Sequence, residues 1–153
     1  MNSPLVFRVS TRHSGRRRFV RVTLYNEVAE LRRAANRYSR AVGTYTDGEF
    51  DRAYGVTHSF VSMFYDEDGT TERLGPGAAH IRLSRGFLGT SVVTHEVAHA
   101  ALGIYRQDCL EKQGSVHEDM EQEETVCYLI GDLTARIVNR LYAYGCYKET
   151  EET

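Results

Sequence analysis

A chain of 153 residues, 41% of them apolar, can fill one compact core. No stretch reaches the ~18–20 apolar residues of a membrane span, and Met1–Ser10 lacks the basic region and apolar run of a secretory leader. The formal net charge is −2, and the three cysteines, Cys109, Cys127 and Cys146, are odd in number and show no CxxC spacing; a zinc ribbon is therefore excluded, and free thiols in a reducing, cytoplasmic setting fit better than a disulfide framework.

Residues 1–18 read as a flexible basic lead ending in Arg16-Arg17-Arg18, and residues 19–148 as a single domain. Residues 1–46 hold ten Arg against Glu27 and Glu30, a local charge of +8, whereas residues 108–153 carry −7. Packing of the basic segment beside the acidic one is the expected arrangement. Nucleic acid is a second partner for the Arg-rich segment, expected to bind only weakly and with strong salt sensitivity. Phe19–Tyr25 alternates apolar and polar residues and is rich in β-branched and aromatic types, which predicts a strand. Asn26 suits an N-cap, and Val28, Leu31, Ala35 and Tyr38 recur at helical spacing up to Arg40. Gly43–Gly48 is turn-like.

Phe60–Tyr65 and Ala79–Ser84 read as strands that pair as a hairpin, with the Asp66–Gly69 turn between them. A helix is expected from Phe87 or Thr90 to Leu102, with Gly103 as its left-handed C-cap. Cys109–Asp119 is polar and loop-like. The last helix starts near Glu118–Glu121 and runs through Val126, Leu129, Leu133, Ile137 and Leu141. Residues 149–153 are expected to fray. The predicted fold is α+β, a small twisted sheet with its helices on one face.

Thr94-His95-Glu96-Val97-Ala98-His99 contains the pattern H-E-x-x-H. On a helix, residues four apart share a face, so both imidazoles can reach one metal. Zinc accepts neutral imidazole, and Glu96 would sit beside the ion as the general base toward water. Two histidines on a helix are also found as satisfied core groups. A catalytic zinc needs a third protein ligand. The sequence offers the acids at the start of the last helix (Glu118, Glu121, Glu123 and Glu124) or His117. His117 and Tyr105 are candidate oxyanion donors. His13, His58 and His80 read as structural or exposed, and Cys127 and Tyr128 as packing residues.

The HExxH segment and the stretch Glu123-Glu124-Thr-Val-Cys-Tyr-Leu-Ile-Gly-Asp-Leu133 together resemble the gluzincins, of which thermolysin is the large member. The short chain looks most like their minimal versions, the minigluzincins and the ImmA/IrrE-type peptidases. That resemblance covers roughly residues 79–135. It implies a zincin-like metallopeptidase with Zn2+ as cofactor and a protein or peptide as substrate. It implies Glu124 as third ligand ahead of Glu123, on a helix face with Cys127, Tyr128, Gly131 and Ala135 that packs against the metal helix. It also implies that Ala79–Ser84 is the edge strand aligning an extended substrate. The SprT-like, DNA-associated proteases are the competing resemblance, and they imply His117 as the ligand. A non-proteolytic zinc-fold binding module is the remaining alternative.

Overall fold

The structure is a computed structural model that describes residues 3–44, 46, 48–69, 72–109 and 118–147. Strands β1 (Leu5–Thr11) and β2 (Arg18–Tyr25) form an antiparallel hairpin, in register from Leu5 opposite Leu24 to Thr11 opposite Arg18. Helix α1 (Val28–Ala41) follows, then β3 (Gly55–Ser59). Strand β6 (Gly77–Ser84) pairs parallel with β2 on one side and antiparallel with β3 on the other. The order β1-β2-β6-β3 makes one mixed, open sheet. Short strands β4 (Met63–Tyr65) and β5 (Glu72–Leu74) form a separate two-stranded ribbon. Helices α2 (Thr90–Asp108) and α3 (Glu118–Ala143) complete the fold.

The period-two alternation of the strands separates two faces. Val20, Val22 and Leu24 of β2 join Ala79, Ile81 and Leu83 of β6 in the main core. Against them pack Val93, Val97, Ala100 and Ile104 of α2. Leu129, Leu133, Ile137 and Leu141 of α3, spaced four residues apart, are fully buried in the same core. The opposite face of the sheet is polar and is covered by α1, whose Leu31 and Ala35 meet Val56 in a second, smaller cluster. Helices thus lie on both faces. The one-face expectation fails because Thr23, His80, Arg82 and Ser84, though polar, form a face that α1 covers.

Further corrections follow from pairing. The basic lead is not a lead: Leu5–Thr11 is a sheet strand, and Phe7 and Val9 belong to the core. Arg18 is fully buried and forms an ion pair with Asp108 through Nη2, with Nε 2.9 Å from Oδ2. Ser14 Oγ donates to the same carboxylate at 2.5 Å. Burial by itself would raise the Asp108 pKa, but these bonds and the charges of Arg18 and Arg16 hold it below the usual carboxylate value. Here the basic N-terminal segment does meet the acidic C-terminal one. The expected hairpin of Phe60–Tyr65 with Ala79–Ser84 is replaced by two pairings, β4 with β5 and β3 with β6. Gly103 is no C-cap, since α2 continues to Asp108. A Cβ at Gly103 would lie 2.8 Å from Ser59 Cβ, so this glycine lets α2 press against β3. The frayed tail expected at 149–153 lies outside the described residues.

His80 Nε2 lies 2.7 Å from Thr23 Oγ1 in the polar layer under α1. Burial, with Arg82, Arg21 and His58 adding repulsion, lowers its pKa from 6.5 to about 3. The unfolded chain therefore binds a proton at this site well before the folded chain does. Stability should be full above about pH 6.5 and decline as the pH falls toward 4. Allowing for partial exposure, the loss is on the order of 2 kcal/mol. Urea unfolding at stepped pH should show this slope in the wild type. In His80→Gln the slope should be clearly shallower over that window, and an equal slope would remove His80 as its source.

Candidate metal centre

His95, Glu96 and His99 sit in the first half of α2, where it runs beside β3. Val93, Val97, Ala100 and Ala101 bury one side of the helix. That orientation leaves His95 and His99 exposed, one turn apart. Their Nε2 atoms approach to 3.2 Å, with ring centroids 4.8 Å apart and planes at 76°. Two imidazole nitrogens each about 2.0–2.1 Å from one tetrahedral ion are about 3.3–3.4 Å apart. The Nε2–Nε2 separation is therefore close to that of two ligands of one zinc ion. The same spacing also suits a hydrogen bond in which one ring donates to the other.

Glu96 is only 4% exposed. Its Oε1 lies 4.0 Å from His95 Nε2. Its Oε2 accepts a 2.5 Å hydrogen bond from Thr57 Oγ1, which also lies 3.0 Å from the Glu96 carbonyl oxygen. A hydroxyl has one proton, and the charged carboxylate is the stronger acceptor. Thr57 thus fixes one carboxylate oxygen and leaves the other facing the imidazoles. Gly55 makes this possible. A Cβ there would stand 2.8 Å from Glu96 Cγ and 3.1 Å from Val92 Cγ1, so only a glycine lets the side chain lie along the strand.

These residues open into a cleft of about 370 Å³ at the β3 edge of the sheet. Its far wall is built by Ser39, Thr44, Glu49 and Phe50, together with His58 of β3. The guanidinium of Arg82 can only donate, so His58 Nδ1 accepts from Arg82 Nη1 at 3.0 Å and Nε2 carries the proton. That proton is donated to Ser39 Oγ at 3.1 Å. The ring lies 4.4 Å from Tyr38 and 5.5 Å from Phe50 between centroids. Burial and then Arg82 lower the pKa of His58, with Glu49 opposing. His58 is a neutral wall residue with both nitrogens engaged, in keeping with the structural role expected of it.

The third ligand is where sequence and structure part. Among the described residues no group of three or more His, Cys, Asp or Glu side chains could hold a metal ion. Glu124 is exposed, as are Cys127, Tyr128, Gly131 and Ala135, which follow it along the outer face of α3. The cause is helical phase. Leu129, Leu133 and Ile137 define the buried stripe, and a residue nine positions before Leu133 points to the opposite side. The face expected to pack against α2 is the solvent face. Glu123, also exposed, lines a different cleft with Tyr105, Gln122, Val126 and Cys127. Tyr105 is buried there, with no hydrogen-bond partner for its hydroxyl among the described residues. His13 stacks on Tyr128 at 5.5 Å, and His117 lies outside the described residues. Ala79–Ser84 is not an edge strand, because β2 and β3 flank it; the edge beside the imidazoles is β3.

No family model, curated protein or solved structure matches the chain. No described helix is long and apolar enough to cross a membrane.

Thr57, Gly55 and Glu49 line this cleft, and the sequence alone does not single them out. Gly-Val-Thr-His-Ser is too short and too mixed to announce a strand, and only its pairing with β6 brings Thr57 to Glu96.

Proposed function

We propose that the chain is a zinc-dependent metallopeptidase that hydrolyses peptide bonds in a protein substrate. The observation that carries the reading is the 3.2 Å approach of the His95 and His99 Nε2 atoms beside a buried, oriented Glu96 carboxylate. His95 and His99 would hold the zinc, which when bound supplies Lewis acidity toward water and the scissile carbonyl. Glu96 accepts the proton of the attacking water at Oε1 and passes it to the leaving amine. Thr57 keeps Oε2 occupied, so the proton travels through one oxygen only. Strand β3, at the edge of the sheet among the described residues, would align an extended peptide in place of Ala79–Ser84. The outward position of Glu124 favours a second ligand arrangement, the SprT-like one with His117 as third ligand.

Incubation with a denatured protein tests the activity directly. Cleavage should stop with a chelator and return with zinc. Cleavage that ignores the chelator, or none with zinc bound, overturns the reading. A finer expectation concerns Thr57. Thr57→Val removes a hydrogen bond to a charged group, worth about 1.5–3 kcal/mol. It should lower kcat roughly tenfold or more, leave KM and zinc content near wild type, and be rescued by Thr57→Ser. A loss of kcat that Ser does not rescue would mean Thr57 matters for packing alone.

A further inference from the structure

Among the described residues two arginines are buried, and only one of them has a counter-ion. Arg18 is sealed against the Asp108 carboxylate. Arg82 is 6% exposed, yet among the described residues no carboxylate lies within ion-pair distance of it. Its Nη1 donates to the neutral His58 ring, its Nε has no hydrogen-bond partner among the described residues, and its guanidinium carbon stands 5.1 Å from the Tyr38 ring centroid. A buried, uncompensated cation is costly, and an anion nearby relieves that cost.

Arg82 borders a cleft of about 540 Å³ between α1 and the polar face of the sheet. Arg33 and Arg37 line the same cleft, with Tyr25 and Tyr38, and among the described residues Glu30 is the only acidic one in the lining. Arg33 and Arg37 are exposed, stand one helical turn apart, and form no ion pair among the described residues. Like charges at that spacing repel each other, so an oxyanion entering a cleft lined by three arginines would relieve that repulsion. Arginine is suited to this because its fork matches the oxygens of a phosphate or carboxylate.

We infer that this cleft is a binding site for a small oxyanion, a phosphate or carboxylate group held by Arg33, Arg37 and Arg82. The site is separate from the imidazole pair, and the two clefts meet at His58, which accepts a hydrogen bond from Arg82 and packs on the Tyr38 ring. An occupant would therefore sit one side chain away from the wall of the proposed catalytic cleft.

Calorimetric titration of the full chain with inorganic phosphate and, separately, with succinate at low ionic strength tests the inference. The expected result is saturable one-to-one binding of at least one of them, with a Kd of about 1 mM or tighter. Whichever binds more tightly assigns the group as phosphate or carboxylate. The double variant Arg33→Gln/Arg37→Gln alters two exposed side chains, so it should fold normally and bind at least about tenfold more weakly. Arg106→Gln, an exposed arginine on α2, should bind as the wild type does. The inference is overturned by no saturable binding of either anion, by unchanged affinity in the double variant, or by equal weakening in Arg106→Gln. None of these readouts uses zinc or hydrolysis, so failure here leaves the peptidase reading standing, and failure of that reading leaves this one testable.

Discussion

Glu96→Gln should leave the fold and the bound zinc intact and cut kcat by roughly 10²–10⁴-fold, the range a positioned general base contributes. The substitution isolates proton transfer unusually well at this position. The side chain is 4% exposed and pressed against Gly55, so its shape matters, and Gln preserves that shape. The Thr57 hydroxyl can still donate, now to the amide oxygen, so the 2.5 Å contact loses its charge but not its partner. The group turned toward the imidazoles becomes an amide NH2, which cannot take a proton from water. Single-turnover cleavage of a denatured protein, with zinc content and thermal unfolding measured on the same sample, checks all three parts. Turnover within a few-fold of wild type would remove Glu96 from the chemistry. Loss of zinc together with activity would give it a structural role instead.

How much of this was legible beforehand depends on the range of the interactions involved. The His95–His99 face and the buried stripe of α3 follow from a helical period within a single element, and the sequence carries that period directly. Strand β2 and the body of α1 were legible for the same reason. What was not legible depends on partners far away in sequence. Arg18 reads as the end of an exposed basic run, yet Asp108, 90 residues on, draws it fully into the interior. Gly103 has the form of a helix stop, but Ser59 on β3 shows that it is a point of close approach. The layering failed for a related reason: His80, Arg82 and Thr23 look like a solvent-facing strand pattern, and only the position of α1 makes that face interior. Thr57 shows the limit most plainly, since nothing in its own neighbourhood links it to a residue 39 positions later.

His95→Ala and His99→Ala should each weaken zinc binding by at least about a hundredfold, more than the 10–100-fold typical of residues that merely support a ligand. Glu124→Ala should change it by only a few-fold. The first half rests on the imidazole pair, since removing either ring leaves one donor where the 3.2 Å geometry offers two. The second half rests on helical phase. Glu124 is nine residues before Leu133, on the side of α3 that carries the exposed Tyr128, Gly131 and Ala135. To bring its carboxylate to the imidazoles, α3 would have to rotate by about half a turn. That rotation would pull Leu129 and Leu133, both fully buried, out of the core. Exposing two leucines costs roughly 3–6 kcal/mol, which a single carboxylate ligand would have to offset before contributing any affinity. Competition with a chromophoric chelator gives the zinc affinity of each variant on one scale. Zinc retained in Glu124→Ala and lost in His117→Ala would assign the SprT-like ligand set. Zinc lost in Glu124→Ala with the fold intact would show that metal binding turns the first half of α3, and would restore the gluzincin-like ligand set that the sequence resembles.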